Sequence, residues 1–143
     1  MRIGGTIGVF DLIHVGHLRF LKNCKSQCDY LKVGIGSDRI VAISKNKQPV
    51  IDQLQRQEMV DGVRYTDESC LFDVGLDNTA PALEWIKNWQ INCFFVSDDW
   101  AGSARWARLG PLLLAHGVEI IWLPYTQNIS SSMIKQRIAN RQA

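Results

Sequence analysis

Apolar residues along this chain recur with two periods, and the alternation between them lays out the fold. Ile3 to Phe10 is an apolar run of strand type interrupted by glycines, after which Leu18, Leu21, Cys24 and Cys28 recur at helical spacing. Tyr30 to Ile35 alternates and ends at Gly36-Ser37-Asp38, predicting a second strand, and Ile40 to Ile51 is expected as a basic loop. Asp52 or Gln53 opens a helix through Gly62, and Thr79 as an N-cap, with Pro81 two residues on, starts another to Trp89. Ile91 to Val96 is a continuous apolar run of buried-strand type. Arg108 to His116 predicts a helix stopped by Gly117, Val118 to Leu123 the next strand, and Ser130 to Asn140 a capped terminal helix. Strands alternating with helices imply an α/β fold, a Rossmann-like doubly wound parallel sheet of about five strands covered on both faces.

Composition narrows the class. The chain has 143 residues and 46% hydrophobic content, which fits one soluble domain spanning residues 1–143. No apolar run reaches the ~18 residues of a membrane span, and the start has too short an apolar stretch before Asp11 for a secretory signal, so a cytoplasmic protein with no membrane insertion is expected. The formal charge of +2 argues for local anion sites and against a nucleic-acid face. The four cysteines, Cys24, Cys28, Cys70 and Cys93, form no C-x-x-C pair and are expected as buried thiols, with no protein-held metal. Trp85, Trp89 and Trp122 fall on apolar patterns and are expected in the core.

The candidate chemistry lies where the first strand hands over to a helix. His14 and His17 are three apart at the helix entrance, so both rings can reach one group docked at a terminus whose free N–H groups already favour an anion. Gly16 lets a phosphate approach the backbone. An imidazole donates a hydrogen bond when neutral and adds charge when protonated, which suits a transition state gathering negative charge. The alternative is that the two rings merely cap a helix. Ser37 and Asp38, Asp98 and Asp99, and Thr126 to Ser132 each follow a predicted strand, and in parallel sheets ligands bind beyond that edge. Ser130, Ser131 and Ser132 are either caps or a cradle for a diphosphate, and Lys45 and Lys47 either solvated residues or mobile cations.

Gly8-Val9-Phe10-Asp11 with His14-Val15-Gly16-His17 resembles the signature of the cytidylyltransferases, a branch of the HxGH nucleotidyltransferase superfamily. The glycerol-3-phosphate enzymes are the most similar members. Lys45 and Lys47 resemble the family's lysine loop, Arg56 and Arg64-Tyr65-Thr66-Asp67 its middle motif, and Asp98-Asp99-Trp100 its Gly-Asp-Asp-Trp. Pro124 to Ser132 is similar to its second signature, Arg-Thr-Glu-Gly-Ile-Ser-Thr-Thr, and Ile134-Lys135 continues the likeness.

The resemblance implies transfer of CMP from CTP, with magnesium, to a small phosphorylated alcohol such as glycerol 3-phosphate, giving CDP-glycerol for wall or capsule polymers. It implies catalytic roles for His14, His17 and Lys45. It places Gly8, Val9, Phe10, Gly16, Arg64, Asp99, Thr126, Ser130, Ser131 and Ser132 on the nucleotide, and Asp11, Lys47 and Arg56 on the acceptor side. Asp11 and Asp38 have a second option, orienting the histidines or a magnesium-bound nucleotide. The middle motif also implies a homodimer.

The chain departs from that pattern in several places. Tyr125 replaces an arginine, Gln127-Asn128 replaces Glu-Gly, Ser97 replaces a glycine, and Val9 replaces a threonine. Cys70 to Asn78 does not match, and the stretch from Trp100 to Pro124 is longer, with Arg105 and Arg108 available to bind something acidic. The rival readings are cytidylyl transfer to another alditol or amino-alcohol phosphate, an adenylyltransferase of the same superfamily, and a nucleotide-binding sensor without turnover.

Overall fold

A computed structural model describes residues 1–141. Five parallel strands form one sheet in the order β3-β2-β1-β4-β5: β1 (Ile3–Gly8), β2 (Tyr30–Gly36), β3 (Glu68–Phe72), β4 (Cys93–Ser97) and β5 (Glu119–Leu123). The helices between them are α1 (Val15–Ser26), α2 (Asp38–Lys45), α3 (Gln53–Asp61), α4 (Thr79–Asn88) and α5 (Ala104–Ala115), and α6 (Ser131–Arg141) follows the last strand. The chain moves outward from β1 to β3, then returns to β4 on the other side of β1, so strand order reverses between β1 and β4. That crossover opens a crevice at the carboxyl edge. No helix among the described residues is long and apolar enough to cross a membrane.

Three of the six residues of β1 are glycines. A Cβ on Gly4 would lie 2.3 Å from the Phe95 ring, and one on Gly5 would lie 2.7 Å from Trp89, so aromatic rings from neighbouring elements fill the space that β1 leaves. Two cores flank the sheet. Leu21 and Cys24 of α1, with Val60 of α3, meet Val33, Phe95 and Leu123 on one face. Ala82 and Ile86 of α4, with Trp106, Leu109 and Leu113 of α5, meet Phe94 and Val96 on the other. Each fully buried side chain of this size contributes roughly 1.5–3 kcal/mol of transfer free energy.

Several boundaries differ from the sequence reading for identifiable reasons. The strand β1 stops at Gly8 because Phe10 (φ 55°) and Leu12 (φ 50°) adopt left-handed backbone, turning the chain toward α1. The expected basic loop from Ile40 to Ile51 is half helix: Ser37 caps α2, which runs to Lys45 and ends at left-handed Asn46. An edge strand, β3, lies over Glu68–Phe72, where polar, partly exposed residues leave no alternating pattern. The helix α5 begins at Ala104, capped by Ser103, and carries Pro111 internally. Asn78, not Thr79, occupies the cap position of α4. Trp85 and Trp89 pack half-buried against the second core as expected, whereas Trp122 is 41% exposed and Trp106, at 5%, is buried. Cys24 and Cys93 are buried, while Cys28 and Cys70 are half-buried.

Candidate functional site

His14 and His17 build the start of α1 before they do any chemistry. His14 is the N-cap, and its Nδ1 accepts the Gly16 N–H at 3.0 Å, while His17 Nδ1 accepts the His14 N–H at 3.1 Å. This is a capping box made of imidazoles. Because both Nδ1 atoms accept, the proton of each neutral ring sits on Nε2, leaving two N–H donors for whatever docks at the helix end. The rings lie 3.9 Å apart, and Phe10 packs against His17 at 5.4 Å. Burial, followed by the proximity of His14, pushes His17 down to about 4 despite the opposing pull of Asp11, and burial also lowers His14. Both rings are therefore neutral donors at pH 7. Gly16 has a second reason to be glycine: a Cβ there would sit 2.8 Å from His14 Cε1 and displace the ring.

Asp11 ties three segments together beside the histidines. Only 4% exposed, it accepts the N–H groups of Val50 (2.8 Å) and Ile51 (3.0 Å) and pairs with Lys135 at 3.1 Å. Its backbone carbonyl accepts the Ser131 hydroxyl. Burial alone would raise its pKa, but the two amides and Lys135 outweigh burial and lower it, so Asp11 is an anion. With its oxygens taken by the chain itself, it organises the site. Lys45, at the end of α2, has a lowered pKa, first from desolvation and then from Lys135, Lys47 and Arg105. Those cations stand near one another with Asp11 as the opposing charge, an arrangement that a polyanion would relieve.

Lys135 is the site residue that the sequence reading left without a role. Its signal was present: it lies four residues after Ser131 on α6, on the same helical face. At the start of α6, Ser130 Oγ accepts the Met133 N–H at 3.1 Å and is the cap among the three serines. Ser131 is committed to Asp11, and Ser132 is exposed at the helix entrance. Asn128 has φ 66°, which explains why asparagine, tolerant of left-handed backbone, can stand in place of the family's glycine. Thr126 is half-buried in the turn after β5.

At the end of β4, Asp98–Trp100 forms a single 3-10 turn. Asp98 Oδ1 accepts the Tyr125 N–H at 3.0 Å, linking the exits of β4 and β5, while Asp99 is exposed. Arg105 clasps Asp77 through two bonds of 2.8 and 3.0 Å and lies 4.1 Å from the Trp100 ring centre. The acidic group expected to meet Arg105 is therefore in this chain, within the unmatched segment, and Arg108 reaches Thr79 Oγ1 at 3.4 Å.

Two residues expected on a substrate are engaged by the chain itself. Arg56, expected on the acceptor, is 1% exposed and donates to the carbonyls of Ile51 (2.8 Å), Val9 (2.7 Å) and Gly36 (2.8 Å) and to Asp38 Oδ1 (2.7 Å). It braces the floor of the site and also occupies Asp38, whose other oxygen accepts the Gln53 N–H at 3.3 Å. Arg64, expected on the nucleotide, follows α3 at the opposite edge of the sheet. There it stacks on Tyr65 at 5.1 Å, in the segment whose Asp67 pairs with Lys25 in the last turn of α1. The structure brings Gly8, Val9, Phe10, Asp11, His14, Gly16, His17, Lys45, Lys47, Asp99, Thr126 and the three serines to the carboxyl edge, and leaves Arg64 away from it.

Similarity to known proteins agrees with this arrangement. The chain is 31% identical over 134 residues to glycerol-3-phosphate cytidylyltransferase of Bacillus subtilis, covering 94% of this chain and 95% of that protein. It is 32% identical over 136 residues to FAD synthase of Thermococcus kodakarensis, covering 92% and 87%. Among solved structures, the lipopolysaccharide core biosynthesis protein from Thermoplasma volcanium shares the fold with a TM-score of 0.68 at 20% identity, covering 90% of this chain and 99% of that one. A model of the cytidylyltransferase-like family matches residues 6–137, nearly the whole chain, and with the paired imidazoles at the crossover it settles the matter: this chain belongs to the cytidylyltransferase-like family and is a nucleotidyltransferase.

Proposed function

We propose that the chain transfers CMP from magnesium-bound CTP to glycerol 3-phosphate, releasing pyrophosphate and forming CDP-glycerol in the cytoplasm. An oxygen of the acceptor's phosphate forms the new bond to the α-phosphorus. The bond from that phosphorus to the bridging oxygen breaks, its electron pair leaving with pyrophosphate. The observation that carries this reading is the pair of neutral imidazoles whose Nε2–H groups are free because both Nδ1 atoms are held by the backbone. Such donors favour charge growing on the α-phosphoryl oxygens and require no reorganisation as the bond breaks. Lys45, with Lys47 and Lys135 nearby, supplies positive charge, and the serines opening α6 receive the departing diphosphate. A homodimer joined through Arg64–Asp67 completes the proposal, that segment being exposed at the edge away from the chemistry.

One observation favours a second reading, adenylyl transfer to an acceptor with a large apolar group, as in the FAD synthase relatives. A mostly apolar open cavity of about 540 Å³ lies next to the Asp11 loop, lined by Phe10, Leu12, Ile13 and Met59 together with the polar Gln55 and Glu58, and is larger than a glycerol backbone needs. Pyrophosphate release separates the two. With CTP, ATP, GTP and UTP crossed against glycerol 3-phosphate, other alditol phosphates and flavin mononucleotide, release confined to CTP with glycerol 3-phosphate is the expected result. Release with ATP and flavin mononucleotide would replace it with the second reading, and binding of CTP without release would leave a sensor.

A further inference from the structure

Most buried hydroxyls of this chain have a partner, and the exceptions mark places where the fold has left a bond to be made. On β1, Thr6 Oγ1 donates to the Phe95 carbonyl at 2.9 Å, so a small buried polar group in the sheet is readily satisfied here. Ser97 Oγ, at the last position of β4, is enclosed and has no hydrogen-bond partner among the described residues. The other such hydroxyl, Thr66, lies before β3 at the opposite edge. Leaving an enclosed hydroxyl unpaired costs free energy, and an alanine or glycine at position 97 would avoid the cost.

The placement of Ser97 gives that cost a use. Phe95 packs with Leu21 and Leu123 on the α1 face while Val96 packs on the opposite face, so strand alternation directs Ser97 toward the α1 side. It pairs in register with Leu123, three residues before Thr126 on the way to the α6 entrance, and Asp98 and Asp99 follow it at the crevice between β1 and β4. The residue as a whole is half-buried, and its hydroxyl turns about a single χ1 bond. The charged half of a nucleotide already has its partners in His14, His17, Lys45 and Lys135. An uncharged hydroxyl adds nothing there that a cation does not provide better, but it suits the uncharged half.

Resting on the nucleotide-transfer reading above, we infer that Ser97 is a specificity-determining residue whose hydroxyl bonds to the nucleoside portion of the bound nucleotide, at a ribose hydroxyl or a polar edge of the base. The serine is this chain's own feature, since the pattern it resembles carries glycine at that position, where no such bond can form.

The test uses the full chain and its Ser97→Ala and Ser97→Gly variants, with melting temperature and equilibrium binding read together for CTP, 2′-deoxyCTP, UTP and inorganic triphosphate. Ser97→Ala should melt at or above the wild type without ligand, bind CTP about fivefold more weakly, and bind triphosphate equally well. Loss of the wild type's preference for CTP over 2′-deoxyCTP in the variant places the bond at the ribose, whereas loss of its preference over UTP places it at the base. CTP binding equal to wild type in both variants, or equal losses for CTP and triphosphate, overturns the assignment. Wild-type protein that binds no nucleotide would instead overturn the proposed function, which makes the two failures distinguishable.

Discussion

At the scale of single residues, the two histidines hold the start of α1 through Nδ1 and, in the proposed reaction, meet the nucleotide through Nε2, so the two roles can be separated. Glutamine at the third position of a helix is a natural member of a capping box, so His17→Gln should keep α1 started while removing the Nε2–H donor. The expected outcome is a denaturation midpoint close to wild type at pH 7 with kcat lower by about 10²–10³, measured by pyrophosphate release. Protonation tests the same nitrogen. In the unfolded chain His17 titrates near its ordinary 6.5, and in the folded protein it is pushed down to about 4, so the folded form favours the neutral ring. Its stabilisation is complete above pH 6.5 and is lost as pH falls toward 4, where the unfolded chain takes up a proton that the native capping box cannot accommodate. The difference amounts to about 3 kcal/mol. Urea midpoints taken from pH 7 to pH 4 should fall steeply for the wild type and less so for His17→Gln; parallel profiles would remove His17 from the acid response.

At the scale of elements, the loop after β1 is held from beneath by a guanidinium instead of by apolar packing. Arg56→Met would leave the carbonyls of Ile51, Val9 and Gly36, together with Asp38, without their donor, at a cost of about 3–5 kcal/mol. Arg56→Lys should recover only part of this, because one ammonium cannot span the same set of acceptors. Chemical denaturation of the two variants checks both statements. Arg56 also shows where reading the sequence falls short. The pattern locates a cation near the site, but only the fold reveals that its N–H groups are consumed by backbone oxygens. Four of the five strands, and the helices around them, are legible because their apolar faces follow a clear period. The strand β3 is not, being a short edge with polar residues toward solvent, and neither is α2, whose eight residues carry only one buried side chain, Val41. The histidine motif is legible as a site from spacing alone, but its tautomers are not, since they depend on two backbone amides. The partnerless hydroxyl of Ser97 depends likewise on packing between segments far apart in the chain.

At the scale of the whole molecule, a parallel sheet sorts residues between two edges. The segments of the candidate site leave the carboxyl ends of β1, β2, β4 and β5, while Arg64–Asp67 precedes β3 at the amino edge. If that segment joins two copies, Arg64→Glu should shift sedimentation from dimer toward monomer and leave the monomer folded, since among the described residues the Arg64 side chain bonds to its neighbour Tyr65 alone. An unchanged sedimentation profile would move the contact elsewhere. The sorting also has a practical side. The six residues of β1 separate the two edges by about 20 Å, so attachments made at the amino edge stay a strand's length from the crevice. That edge is a handle by which the molecule can be fused, tethered or fixed to a support while substrates come and go at the other.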